Sequence, residues 1–150
     1  MTPELARPSD LPAILKLIRA LSAFHGDTAT VTLGQLQDAF FGPAKRSTAI
    51  VMRDGPNITG YAGLNHTLSL HTGVARIDIH HLFVCETHRG RGIGKAVIAY
   101  AKTIGRDAGA RGLTIGTDPK NIAAQSAYRA MGLEEITDSG PRFWIPLEDQ

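Results

Sequence analysis

The sequence predicts an α/β fold: a mixed, mostly antiparallel twisted sheet of six to seven strands flanked by about four helices. Three observations predict it. Apolar residues recur at helical spacing in some segments and alternate in others. Strands of the first half are joined by turn chemistry, as in hairpins. The second half runs strand, helix, strand, helix, which implies parallel pairing and helices lying on a sheet. With 150 residues and no shift in composition along the chain, residues 1–150 read as one domain large enough for its own core.

Residues 4–7 read as a first strand closed by Pro8. Ser9 or Asp10 can cap the next helix, and Pro12 suits its first turn. Leu11, Ile14, Leu15, Ile18 and Leu21 carry that helix to about Phe24, and His25-Gly26-Asp27 reads as a loop. Thr32 can cap a shorter helix through Leu33, Leu36 and Phe40, ended by Gly42-Pro43. Residues 47–53 and 58–66 read as hairpin strands joined by Asp54-Gly55-Pro56-Asn57. Residues 74–84 read as a long strand. Simple alternation puts Asp78, His80, Leu82 and Val84 on one face and His81 and Phe83 on the other, unless a bulge intervenes. After a glycine-rich turn, Ile93, Val97, Ile98, Ala101 and Ile104 line a helix. Residues 112–117 read as a strand, 121–131 as a helix ended by Gly132, and 142–147 as a last strand, with room for a short one near Glu135.

Composition excludes several classes. A formal charge of +2 is too small to argue for nucleic acid. No apolar stretch approaches the roughly 20 residues of a membrane span, and no leader is visible near Pro3, Glu4, Pro8 and Asp10. The single cysteine, Cys85, leaves no internal disulfide and points to a reducing cytoplasm; it reads as a small packed residue. His66, His71, His80 and His81 lack a metal-ligand spacing, so no metal is expected.

The most informative segment is His88-Arg89-Gly90-Arg91-Gly92-Ile93-Gly94-Lys95, between a strand and a helix. Glycines let the backbone approach a ligand, a helix start offers unpaired N–H groups, and Arg89, Arg91 and Lys95 add charge. Together they suit a phosphate or pyrophosphate. A P-loop would need glycine at 89 and a hydroxyl at 96, where Arg89 and Ala96 stand. A dinucleotide fingerprint would need glycine at Lys95 or Val97. The pattern that fits is Arg-x-x-Gly-x-Gly, from Arg89 to Gly94.

Three segments make nearly the whole chain resemble the GNAT superfamily of acyl-CoA-dependent N-acetyltransferases. They are Leu82-Phe83-Val84 followed by Arg89 to Gly94; Asn121 to Tyr128 with Met131-Gly132-Leu133; and Arg7-Pro8-Ser9-Asp10 leading into the first helix. The resemblance implies a GNAT-like sheet, acetyl-CoA as co-substrate and a homodimer. It implies that the backbone of Leu82, Phe83 and Val84 pairs with the pantetheine arm and that the amides from Arg89 through Gly90, Arg91, Gly92, Ile93 and Gly94 to Lys95 hold the pyrophosphate. It also implies that Asn121 touches the pantetheine region and that Tyr128 lies near the thioester sulfur. The layout is most similar to the spermidine/spermine and thialysine acetyltransferases, which would place acceptor contacts at Phe24 and His25. Those enzymes carry an acidic pair where this chain has His80-His81, which argues for an acceptor less cationic than a polyamine.

Acetyl transfer to an amine needs a base for the ammonium, polarisation of the carbonyl and a proton for the departing thiolate. Tyr128 suits the last role, since a tyrosine stays protonated at neutral pH. His80 is the candidate base, directly or through a water, with His81 its competitor and Asp78 able to orient His80 only from the same face. The expected activity is acetylation of a primary amine on a small molecule by direct attack. The alternatives are a protein N-terminal or lysine acetyltransferase and a non-catalytic acyl-CoA sensor.

Overall fold

The turn after Asp54 closes a hairpin with a two-residue loop, because Asp54 pairs directly with Asn57. Gly55, at φ 60°, supplies the positive φ such a loop needs, and Pro56 fixes the next residue. In this computed structural model, which describes residues 1–137 and 140–147, the strands are β1 Pro3–Leu5, β2 Ser47–Asp54, β3 Asn57–Ser69, β4 Val74–Val84 and β5 Gly112–Ile115. They lie in the order β1-β2-β3-β4-β5. The first three pairings are antiparallel and β5 joins β4 in parallel.

The mixed, mostly antiparallel sheet is therefore present, with five strands among the described residues in place of six to seven. Residues 142–147 form no strand, and none forms near Glu135. Phe143, Trp144, Ile145 and Leu147 are all exposed. Consecutive apolar residues give that segment no single face to bury, and Pro146 has no N–H for a ladder.

The helices are α1 Leu11–Phe24, α2 Leu33–Phe41, α3 Ile93–Asp107 and α4 Ile122–Ala130. Met1–Asp118 forms one compact unit, holding the sheet with α1 to α3; Pro119–Gln150 forms a second, holding α4. In the first unit, α1 and α2 cover one face of the sheet. Leu11, Ile14, Leu15, Leu17, Ile18, Leu36 and Phe40 pack there with Ala49, Val51 and Tyr61, each large side chain contributing about 1.5–3 kcal/mol by leaving water. On the opposite face α3 comes close to the strands. A Cβ on Gly60 would lie 3.2 Å from Ile93 Cγ2, and one on Gly105 would lie 3.1 Å from Ile77 Cγ1. Gly60 thus seats the first residue of α3 on β3.

Thr32 caps α2 as expected: its hydroxyl accepts from Gln35 N–H at 3.2 Å, and Gln35 Oε1 accepts from Thr32 N–H at 3.0 Å. Asp10 does not cap α1. Its buried carboxylate accepts from Arg7 N–H at 2.7 Å and takes both terminal nitrogens of Arg53, at 2.9 and 2.6 Å. Arg53 Nε also donates to Glu4. The Arg53 hydrogen bonds hold the Asp10 carboxyl below the usual carboxylate range. This cluster pins β1 and the start of α1 to β2.

Candidate active site

The glycine turn takes the conformation its sequence requires. Gly90 and Gly92 have φ 76° and 77°, values that are costly for other residues. Gly92 is the N-cap of α3, with no side chain capping it, and its carbonyl accepts the first helical bond from Ala96 N–H at 3.0 Å. The N–H groups that open α3 therefore have no acceptor within the helix, and they carry the positive end of its dipole. Arg91 and Lys95 are exposed, and neither pairs with a carboxylate among the described residues. His88 fixes the turn from the other side, with Nε2 3.2 Å from Asp54 Oδ2 and Nδ1 2.9 Å from Thr87 Oγ1.

The strand before the turn departs from simple alternation. Gly63 pairs with His81, but Leu64 pairs with Ile79, so His80 is the extra residue of a β-bulge. Beyond it, His81 and Phe83 lie opposite Gly63 and Tyr61 on the α1 and α2 face. Leu82 and Val84 join Ile77 and Ile79 on the α3 face. The expected grouping of Asp78, His80, Leu82 and Val84 on one face is thus corrected by the bulge. The two imidazoles come together, ring centroids 4.6 Å apart. His80 is exposed and His81 half-buried. Burial, with the neighbouring His80 charge, lowers the His81 pKa to about 4. Asp78 does not orient His80; it accepts from Thr114 Oγ1 at 2.7 Å across to β5.

Past Ile79, β4 has no strand on its β5 side among the described residues, because β5 pairs only with Arg76 to Ile79. Cys85 N–H donates to Thr59 on the β3 side. Alternation then turns the peptide groups of Phe83 toward β3 and those of Leu82 and Val84 toward the uncovered edge. An extended ligand bearing amides can add there like a strand. Arg89 already reaches that edge: its Nε donates to Val84 O at 3.0 Å. Its guanidinium lies 5.4 Å from the Phe24 ring centroid and 5.5 Å from that of Phe83. The side chain of Arg89 is therefore committed to aromatic faces and a strand carbonyl, and its backbone N–H donates to Glu86 O at 3.3 Å. His25, which follows α1, stacks edgewise on Phe24 at 5.3 Å, and its Nδ1 lies 3.7 Å from Asp118 Oδ2.

In the second unit, Asn121 Oδ1 accepts from Ala124 N–H at 3.1 Å and so caps α4. Tyr128 on α4 is half-buried, and burial raises its pKa, which keeps the hydroxyl protonated. No cluster of three or more His, Cys, Asp or Glu among the described residues could hold a metal ion, and no helix among them is long and apolar enough to cross a membrane.

Two site features escaped the reading of single residues: the Arg89 bridge and the pair Tyr61 and Gly63. Glycines at 60 and 63 inside one strand were the available signal, since a strand glycine marks a bulge or a close approach. The shift at His81 also predicts a pH effect. Its folded pKa lies below the ordinary histidine value, so the unfolded chain takes up the proton first on acidification. Stability is then lost as pH falls from about 6.5 to about 4. Melting temperature should drop over that range in the wild type and drop less in His81→Asn; equal slopes would show that His81 titrates alike in both states.

A mixed sheet in which β5 pairs only the first part of β4, followed by a glycine turn into α3, defines an α/β domain. The chain belongs to the acetyltransferase (GNAT) family, whose description matches residues 14–133. It is 28% identical over 111 residues to N-acetyltransferase 8B of Rattus norvegicus, covering 74% of this chain and 47% of that one. It is 25% identical over 144 residues to thialysine N-epsilon-acetyltransferase of Bos taurus, covering 89% and 84%. The chain thus spans about half the length of the first of these curated relatives. An aminoglycoside acetyltransferase from an uncultured soil metagenomic sample, crystallised with sisomicin, shares the fold: TM-score 0.78, 19% identity, 98% of this chain and 96% of that one.

Proposed function

We propose that the protein is an acyl-CoA-dependent N-acetyltransferase that moves an acetyl group from acetyl-CoA to a primary amine of a small molecule by direct attack. The observation that carries the reading is the uncapped, glycine-opened start of α3 beside the uncovered edge of β4. One part suits a pyrophosphate, the other an amide-bearing arm. On this reading the N–H groups from Gly90 to Lys95 hold the pyrophosphate, with charge from Arg91 and Lys95. The peptide groups of Leu82 and Val84 position the pantetheine, and Asn121 contacts it. Acetyl-CoA supplies the acyl group as a thioester.

His80, the exposed member of the imidazole pair, takes the proton from the acceptor ammonium, and Tyr128 gives one to the departing thiolate. Phe24 and His25 contact the acceptor. His80 and His81 stand where polyamine acetyltransferases have an acidic pair, which favours an amine of lower positive charge. Residues 1–150 act as one domain, in the cytoplasm, as a homodimer.

The reading is tested by thermal melting with acetyl-CoA, using ATP and NAD as controls. A ligand that binds only the folded state raises the melting temperature by mass action, about 2.7 kcal/mol at a hundredfold excess over Kd. A rise with acetyl-CoA alone is expected, followed by thiol release on adding amines. An equal rise with ATP would reduce the turn to a generic phosphate site.

A further inference from the structure

Tyr61 is among the most deeply buried large side chains, 2% exposed, and its ring belongs to the core under α1. Burial pushes its pKa well above the ordinary tyrosine value, so the hydroxyl keeps its proton. Among the described residues that hydroxyl has no hydrogen-bond partner. No side-chain oxygen there is both buried and unpartnered, so the little exposure Tyr61 retains includes its oxygen. The ring is sealed in the core and the oxygen opens outward.

Gly63 shows where it opens. Residues 61 and 63 share a face of β3, and a Cβ on Gly63 would lie 2.6 Å from Tyr61 Oη and 3.8 Å from His81 Cβ. Only glycine leaves that space to the hydroxyl. Gly63 pairs directly with His81, the Tyr61 ring meets His81 edgewise at 6.1 Å, and His80 lies beside His81. One hydroxyl and two imidazoles thus converge beside Gly63 on the face that also carries Phe83.

We propose that the Tyr61 hydroxyl is an acceptor-binding catalytic residue: its oxygen, given room by Gly63, takes a hydrogen bond from an N–H of the acceptor amine and aims that nitrogen at the histidine pair. The proposal rests on the amine-acetyltransferase reading above. A hydroxyl serves an ammonium better here than a carboxylate would, because it holds the N–H without locking in the charge that must be lost. The proton leaves to His80, the nitrogen keeps the electron pair, and Tyr61 is unchanged at the end of the step.

The test compares wild type, Tyr61→Phe and Gly63→Ala on a panel of small primary amines. Thiol release gives kcat and KM, and melting shift gives acetyl-CoA binding. Tyr61→Phe keeps the ring packing and removes only the oxygen. Its kcat/KM for the amine should fall about 10- to 100-fold, as for a lost hydrogen bond to a charged group, with the acetyl-CoA shift unchanged. Gly63→Ala puts a methyl group against the Tyr61 hydroxyl and should show the same pattern. Equal turnover by wild type and Tyr61→Phe would overturn the Tyr61 role and leave the transferase reading standing. Turnover of no amine by the wild type, despite acetyl-CoA binding, would overturn that reading and the Tyr61 role with it.

Discussion

Tyr128→Phe is expected to lower kcat by about 10²- to 10⁴-fold, the range for loss of a positioned proton donor, while leaving the melting shift with acetyl-CoA intact. The ring is half-buried and burial holds its hydroxyl in the protonated form, so phenylalanine preserves the packing and removes the proton. The pH profile separates this role from a structural one. A mutant lacking the acid should regain part of its rate with thioesters whose thiolates are more stable leaving groups, because these need the proton less. Unchanged turnover in Tyr128→Phe would remove Tyr128 from the chemistry.

Asp10→Ala should produce the largest loss of stability. The carboxylate is buried and holds Arg53 in a two-point pair while accepting Arg7 N–H. Removing one partner of a buried pair costs about 3–5 kcal/mol, because the other charge is left without compensation. Against a total of about 5–15 kcal/mol, that is enough to populate unfolded chains at moderate temperature. Urea unfolding should show the midpoint moving sharply down. The double variant Asp10→Ala with Arg53→Met should recover part of the loss, since it strands no charge. A single variant as stable as the wild type would show that Glu4 alone satisfies Arg53.

The two effects read different levels of the molecule. Asp10 acts where β1, β2 and the approach to α1 meet. Tyr128 lies on a helix whose start is set by Asn121. Asn121 was expected to touch the cofactor, and its side-chain oxygen serves as the cap of α4; the amide nitrogen remains for the proposed contact.

The helices and hairpin were legible in the residues because their signals are local. Thr32 with Gln35, Gly55 with Pro56, and Gly90 with Gly92 each fix a cap or turn within a few positions. The glycine turn before α3 was legible for the same reason. The last strand was misjudged at 142–147, since apolar residues without a one-faced pattern, and with Pro146 among them, do not specify a ladder. The basic residues of the turn also differ in a way no spacing reveals: Arg89 lies on Phe24 and Phe83, residues 65 and 6 positions away in the chain, whereas Arg91 and Lys95 pair with no carboxylate among the described residues.

By itself, then, the sequence determined the order of elements as far as α4 and the glycine turn before α3, properties of near neighbours, and it implied the mixed sheet. Only the tertiary structure decided the rest. Register across β3 and β4 made His80 a bulge residue and moved His81 onto the face of Tyr61. Asp78 was drawn away to Thr114, and the shortness of β5 left β4 past Ile79 with no strand pairing on that side among the described residues. Pairing between distant strands sets these features, and a one-residue change of register turns every following side chain to the other face.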